Sequence, residues 1–249
     1  MSNRIKNAVS SLQTGIFNMP NLCLFVKNAL NIRIFDNIQS CRLQAEDSPV
    51  NFKCTSLRNV IFILLFLSFK LGFCQSESSQ NNLSLFALEL TKQKVTYDPS
   101  YFSIPYPNGD VPRDKGVCTD VVIRAYRKMG VDLQKEVHED MKANFNAYPK
   151  IWGLKTTDKN IDHRRVPNLM TFFKRKGADK IISDKAQDYV PGDIVCWNLG
   201  GAITHIGIVV HKKSQDGKRN LIVHNIGGGQ VLEDCLFKFK IIGHYRYKT

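Results

Sequence analysis

The fold class is decided by the stretch PGDIVCWNLGGAITHIGIVVHKKSQDGKRNLIVHN, which spans Pro191–Asn225. It opens with a Pro-Gly-Asp turn and continues through IVCW, ITHIGIVVHKK and NLIVHN, three segments rich in β-branched residues. The polar segment SQDGKR separates the last two and is typical of a hairpin loop. Near the end of the chain, IIGHYRYKT predicts a final strand. The C-terminal part of the chain is therefore predicted to form an antiparallel sheet.

Upstream of this sheet, apolar residues recur at helical spacing. In GVCTDVVIRAYRKMG, residues 116–130, one helical face is formed by Val121, Val122, Ala125, Tyr126 and Met129. Two further helices are predicted over Leu83–Lys94 and Val166–Lys176. Another helix is predicted after Asp132, which suits an N-cap. Helices followed by an antiparallel sheet predict an α+β fold.

Composition and charge limit the functional classes. The 249 residues are 43% hydrophobic, which is ordinary for a globular domain of moderate size. The formal net charge of +13 favours anionic partners, among them acidic cell-wall polymers. The sequence lacks RNA-binding aromatic motifs, zinc-finger spacing and a basic arm, so no nucleic-acid partner is expected.

An export signal is predicted at RNVIFILLFLSFKLGFC, residues 58–74. A basic residue precedes the apolar run Val60–Phe69, and polar residues follow, as in a secretory signal peptide. The run is shorter than the ~20 residues of a membrane-spanning helix. A buried core helix, a membrane anchor and a lipoprotein site at Cys74 are the alternatives. We expect a protein of the periplasm or cell envelope that meets the membrane only through this signal.

This signal divides the chain into four predicted parts. Residues 1–56 are interpreted as a leader outside the domain or as the product of a mis-called start, and residues 57–74 as the signal peptide. A linker and an N-terminal helix occupy residues 75–95, and the main folded domain occupies residues 96–249. The predicted mature chain retains three cysteines, an odd number, so at least one thiol is unpaired.

One of these cysteines, Cys118, lies where a loop meets a predicted helix. The free backbone N–H groups and the dipole of a helix start stabilise a thiolate, so the pKa of this thiol is expected to be lowered. His205 begins a strand and His224 ends the strand paired with it, which predicts a Cys-His-His triad. Asn225 is the rival third member, although strand alternation places it on the opposite face. Cys196 and Cys235 are interpreted as packing residues.

The segments PGDIVCW, THIGIVV and LIVHN resemble the NlpC/P60 group of papain-like cysteine peptidases. The resemblance to the DUF1287 family, which belongs to that superfamily, is closer and covers nearly all of Tyr97–Tyr247. It rests on YDPSY at Tyr97, YPNGDVPRDKGVCTDVVIRAYR at Tyr106, VHEDM at Val137, YPKIWGL at Tyr148, NIDHRRVPNL at Asn160, PGDIVCW at Pro191, HIGIVV at His205, VHNIGGG at Val223 and GHYRY at Gly243. The resemblance implies a papain-like fold and a cysteine amidase or endopeptidase that hydrolyses peptidoglycan or related envelope peptides.

The flanks of the cysteine depart from the NlpC/P60 pattern, in which aspartate precedes it and serine follows. Here Val117 precedes Cys118 and Thr119 follows. Candidates for substrate binding are Tyr97, Tyr101, Asp120, Asp162, His163, Arg164, Arg165 and Asn225. The segment IDHRR, residues 161–165, suits recognition of a substrate carboxylate by arginine, and it equally suits an internal salt-bridge network.

No metal or cofactor is expected from the sequence. The cluster His138, Glu139 and Asp140 occupies consecutive helical positions, which point in different directions and make a poor chelate. Two alternatives to hydrolysis stay open: a module on the same fold that binds wall peptides without cleaving them, and transfer of the acyl group to an amine.

Overall fold

The computed structural model describes residues 82–247. The predicted leader at residues 1–56, the signal peptide at residues 57–74 and the linker up to residue 81 lie outside the described residues. Within residues 82–247, no helix combines the length and the apolar character needed to cross a bilayer.

The described part of the chain contains four α-helices. They are α1 at residues 82–90, α2 at Cys118–Lys128, α3 at Leu133–Ala143 and α4 at Val166–Arg175. Three short 3-10 helices occupy Phe145–Ala147, Asp162–Arg164 and Ala186–Asp188. The predicted N-cap of α3 is confirmed, because the Asp132 carboxylate accepts the N–H of Lys135 at 3.2 Å. Gly130 follows α2 with a φ of +83°, a conformation that glycine adopts without strain.

The strands form two sheets. A two-residue parallel pair joins β1 at Thr96–Tyr97 to β2 at Lys115–Gly116. The main sheet contains β3 at Ile194–Gly200, β4 at Ile203–Lys213, β5 at Asn220–Asn225, β6 at Gln230–Glu233 and β7 at Lys240–Tyr245. Its strand order is β6-β5-β4-β3-β7, and every neighbouring pair is antiparallel. The α+β fold predicted from the sequence is confirmed.

Alternation along the strands gives the main sheet two buried faces. Ile206 and Ile208 of β4 lie in the core shared with helices α1 to α4. Val195, Trp197 and Val209 lie in a second cluster on the other face. Burying both faces removes most of the apolar area of the sheet from water, and this burial is the main stabilising contribution to the fold. Helix α1 contributes Leu83, Ala87 and Leu90 to the shared core.

The Pro-Gly-Asp turn fixes the start of β3 through one buried carboxylate. Asp193 is fully buried and accepts the N–H of Val190 at 3.0 Å. It also contacts His244 at 2.8 Å and receives two hydrogen bonds from Arg246, at 2.6 and 2.8 Å. The turn is thereby joined to the last strand, which explains why the chain carries an acidic residue at this position.

Replacing Asp193 with Ala should destabilise the fold strongly. The substitution leaves the buried His244 and the partly buried Arg246 without the carboxylate that they contact, and removal of one partner from a buried ion pair costs about 3–5 kcal/mol. Urea unfolding of the variant would measure this loss. Asp216→Ala, in the exposed turn between β4 and β5, is the control. Equal stability of the Asp193 and Asp216 variants would contradict the anchoring role.

Candidate active site

The start of α2 is held by a buried ion pair. The Asp120 carboxylate accepts the N–H of Val117 at 2.7 Å, which satisfies a backbone donor that the helix leaves free. The Arg164 guanidinium binds both oxygens of this carboxylate, each at 3.0 Å. Both side chains are buried, so the pair is shielded from water. Cys118, the first residue of α2, therefore has a fixed position.

Two further contacts hold the chain next to the cysteine. The Asn225 side chain donates to the carbonyl of Gly116 at 3.2 Å, which links the end of β5 to β2. The Thr119 hydroxyl donates to the carbonyl of Arg164 at 3.1 Å. Asp120, Arg164 and Asn225, which were candidates for substrate binding, thus use their polar groups to position the start of α2.

The sulfur of Cys118 lies against the backbone of β4 at Ile206, the residue that follows His205. The backbone N–H groups of Ile206, Thr119 and Cys118 itself approach the sulfur and favour its anion. Burial acts in the opposite direction and is the larger effect, so the pKa of the Cys118 thiol is raised to about 12. The predicted lowering of this pKa is wrong for the free protein, because the side chain is only 7% exposed.

The two histidines meet as the sequence predicts. Nε2 of His205 lies 2.9 Å from Nδ1 of His224, on the adjacent strand. Nε2 of His224 lies 3.0 Å from a carboxylate oxygen of Glu233 in β6. The other oxygen of that carboxylate accepts from Lys238 at 2.8 Å. A hydrogen-bonded relay therefore runs from His205 through His224 to Glu233, across three neighbouring strands.

Glu233 was absent from the sequence prediction. Its strand, QVLE, has four residues and follows the glycine-rich turn IGGG, so no alternating pattern identifies it as a strand. The register explains its position. His224 pairs with Val231, and Glu233 two residues further on lies on the same face as His224.

The relay determines where the protons lie. An ionised carboxylate only accepts, so Nε2 of His224 carries a hydrogen and its Nδ1 accepts the hydrogen on Nε2 of His205. Nδ1 of His205 is then a free base, and within residues 82–247 it has no hydrogen-bond partner. Burial, and then the charge on His224, lower the pKa of His205 to about 4. Burial also lowers the pKa of His224, so both rings are neutral near pH 7.

A second thiol lies beside the relay. The sulfur of Cys235 is 3.7 Å from Nε2 of His224. The ligand atoms of His224, Glu233 and Cys235 all lie within 4.8 Å of one another, so within the described residues these three side chains form a group able to hold a metal ion. Cys235, which the sequence predicts to be a packing residue, therefore also contacts the relay.

Comparison with known proteins identifies the chain. Residues 85–247 match the model of a family described as "Domain of unknown function (DUF1287)". The chain belongs to the DUF1287 family. A curated relative in Escherichia coli (strain K12), the uncharacterized protein YijF, is 49% identical over 172 residues, which cover 68% of this chain and 83% of the relative. No solved structure gives a match.

In this DUF1287 domain, Tyr97 flanks the cysteine. Burial, followed by the charges of Cys118 and Asp120, raises the pKa of the Tyr97 hydroxyl, which places this ring close to the sulfur. The residue is nevertheless 39% exposed. The ring is therefore both close to Cys118 and accessible to solvent. Tyr101 has another role, because its hydroxyl contacts Asp158 at 3.1 Å and holds the loop around it.

The remaining candidates of the DUF1287 domain lie in and after the 3-10 helix at Asp162–Arg164. One oxygen of the buried Asp162 carboxylate accepts from the N–H of Asp158 at 2.7 Å, and burial raises the pKa of this carboxyl. Arg165 stacks on the Trp152 ring at 4.2 Å, and its Nη1 is buried with no hydrogen-bond partner among residues 82–247. The internal ion pair expected for this segment is present at Arg164, whereas recognition of a substrate carboxylate by Arg165 stays a prediction.

His163 makes the DUF1287 domain sensitive to acid. Burial, assisted by the charges of Arg164, Arg127 and His138, lowers the pKa of His163 to about 3. Between pH ~6.5 and that value the unfolded chain binds a proton that the folded chain does not. The free energy of unfolding should thus fall as the pH falls through this window, by ~1.4 kcal/mol per pH unit for this residue.

Replacing His163 with Gln should make this dependence shallower. Urea unfolding at pH 7 and pH 5 would measure the change for the wild type and the variant. His211→Gln is the control, because this residue is exposed on β4. An unchanged difference between the two pH values in the His163 variant would contradict the assignment.

Proposed function

We propose that this protein is an exported cysteine hydrolase that cleaves amide bonds in peptidoglycan or related envelope peptides, on a papain-like fold of the NlpC/P60 type. The observation that carries the proposal is the relay from His205 to Glu233, together with a cysteine at a helix start whose sulfur meets the backbone N–H of Ile206, the residue after His205. A thiol, a free imidazole nitrogen and a charged group behind it are the three parts that nucleophilic catalysis requires.

The proposed reaction starts from the neutral thiol of Cys118 and the neutral imidazole of His205. As the sulfur of Cys118 attacks the amide carbonyl, its proton passes to Nδ1 of His205. The charge on the carbonyl oxygen is stabilised by the backbone N–H of Cys118 at the start of α2. The imidazolium of His205 then protonates the leaving amine, and a thioester remains on the sulfur. Water, activated by His205, hydrolyses the thioester and restores the thiol.

His224 and Glu233 act as positioning residues in this scheme. They hold the ring of His205 with Nδ1 unprotonated, and the Glu233 charge stabilises the imidazolium that forms. A neutral thiol and a neutral imidazole agree with the raised pKa of Cys118 and the lowered pKa of His205. Proton transfer during the attack therefore replaces a preformed thiolate.

The substrate class rests on several observations together. The predicted export signal and the net charge of +13 suit an acidic polymer of the envelope. Tyr97 flanks the sulfur, and Arg165 retains donors that suit a stem-peptide carboxylate. The resemblance to NlpC/P60 peptidases supports the same class.

A binding module is the second candidate. It is favoured by the burial of Cys118, which keeps the thiol protonated and only 7% exposed. In that function the surface around Tyr97 holds a wall peptide and no bond is cleaved.

The first test compares the wild type with Cys118→Ala on purified peptidoglycan sacculi. Mass spectrometry of the soluble fraction should detect new stem-peptide fragments with the wild type and none with the variant, because the nucleophile is missing. Cys196→Ala, which removes another buried thiol, is the matched control and should retain the activity. Fragment release by Cys118→Ala at the wild-type rate would refute the assignment. Binding to sacculi by both proteins without any fragments would favour the binding module.

The role of the relay can also be tested without a substrate, through the reactivity of the Cys118 thiol. Replacing Glu233 with Ala removes the acceptor of the His224 hydrogen and the charge behind it, so alkylation of Cys118 by iodoacetamide at pH 7 should slow on the order of 10-fold. Glu233→Asp keeps a carboxylate and should restore part of the rate. Peptide mass spectrometry over a range of pH values provides the measurement.

The matched control for Glu233 is its neighbour Asp234, whose carboxylate pairs with Arg219. Asp234→Ala should alkylate Cys118 as fast as the wild type does. If Glu233→Ala matched the wild type in rate and in pH dependence, the relay would have no part in activating the thiol.

A further inference from the structure

The three side chains at the outer end of the relay have the chemistry of a metal site. Glu233 ends β6, and Cys235 follows two residues later in the turn that leads to β7. His224 reaches both from β5, and its ring is 1% exposed. We propose that His224, Glu233 and Cys235 bind a soft divalent cation such as Zn²⁺, and that this cation switches off the base at His205.

The separations suit tetrahedral coordination. Nε2 of His224 is 3.0 Å from the Glu233 oxygen and 3.7 Å from the Cys235 sulfur. Metal bonds of ~2.0–2.1 Å to nitrogen and oxygen and ~2.3 Å to sulfur, at tetrahedral angles, give separations of about 3.3 and 3.6 Å. The two separations from His224 are thus close to those of a metal site, and all three ligand atoms lie within 4.8 Å of one another, so a cation can enter after the side chains of Glu233 and Cys235 move towards it. The partly exposed side of Glu233 leaves a fourth position for water.

The charges also suit a divalent cation. A thiolate and a carboxylate together neutralise Zn²⁺, and an imidazole completes a ligand set that this metal prefers. Lys238 pairs with the oxygen of Glu233 that does not face His224. Its side chain is 55% exposed, so its ammonium group can turn towards water when the cation arrives.

The effect on the cysteine rests on the proposed function. A cation on Nε2 of His224 takes the position of the hydrogen that Glu233 accepts. The neutral His224 ring then carries its hydrogen on Nδ1 and donates it to Nε2 of His205. His205 in turn carries its own hydrogen on Nδ1, and this nitrogen can no longer accept the Cys118 proton.

The protons balance in this exchange. Before binding, the hydrogens lie on Nε2 of His205, on Nε2 of His224 and on the sulfur of Cys235. After binding, each ring carries one hydrogen on Nδ1, and the thiol proton of Cys235 has passed to solvent. The relay keeps its contacts and reverses its direction, so the metal inactivates the base without unfolding the site.

The site is tested on the full chain, stripped with a chelator and titrated with Zn²⁺ in a calorimeter. Wild type and Cys118→Ala should bind zinc alike, whereas Cys235→Ser should lose the site or bind on the order of 10-fold more weakly. Cys196→Ser, which replaces another buried thiol, is the matched control and should bind like the wild type. Zinc binding by Cys235→Ser equal to that of the wild type would overturn the site.

The switch is tested by alkylating Cys118 with iodoacetamide in the presence and absence of Zn²⁺. Zinc should slow alkylation at least several-fold in the wild type and in Cys196→Ser, but not in Cys235→Ser. Equal protection in Cys235→Ser would overturn the switch, because zinc would then act on Cys118 directly. Failure of the metal-free wild type to release fragments from sacculi would count against the proposed hydrolase alone, since zinc binding at Cys235 is measured separately.

Discussion

The buried pair of Asp120 and Arg164 is the interaction on which the candidate site depends. The Asp120 carboxylate accepts a backbone hydrogen bond at the start of α2 and binds the guanidinium of Arg164, which belongs to the 3-10 helix at Asp162–Arg164. Removing either partner would leave an uncompensated charge in the interior, which proteins tolerate poorly. The position of Cys118 is thus set by electrostatics from two parts of the chain, while the position of His205 is set by the sheet.

The helix start that positions Cys118 and the sheet that positions His205 meet at β4. The cysteine reaches β4 through the backbone N–H of Ile206, and the relay starts from the adjacent residue, His205. Such an arrangement separates two tasks. In the proposed mechanism, the helix supplies backbone donors for a developing negative charge, and the sheet supplies a base whose ring orientation is fixed by its neighbours. Burial keeps the thiol of Cys118 and the imidazole of His205 neutral near pH 7.

Sequence reasoning succeeded where local patterns carry the information. β-branched runs and turn residues predicted the sheet. The helix start at Cys118 and the contact between His205 and His224 were predictable because each residue lies near a recognisable end of a helix or strand. It failed at Glu233 and Cys235, which are brought to His224 by a short edge strand and the turn after it. It also failed on the pKa of Cys118, because the extent of burial depends on tertiary packing that no local pattern reveals.

The relay runs across the strands, so its chemistry depends on how β5 and β6 are aligned. The turn between Asn225 and Gln230 sets that alignment, with His224 opposite Val231. Side chains alternate along a strand, and a shift of one residue would turn Glu233 to the other face and bring Leu232 or Asp234 to its place. The length of a glycine-rich turn outside the relay therefore determines whether Glu233 faces His224, and an insertion or deletion there would change the candidate site as much as a substitution within it.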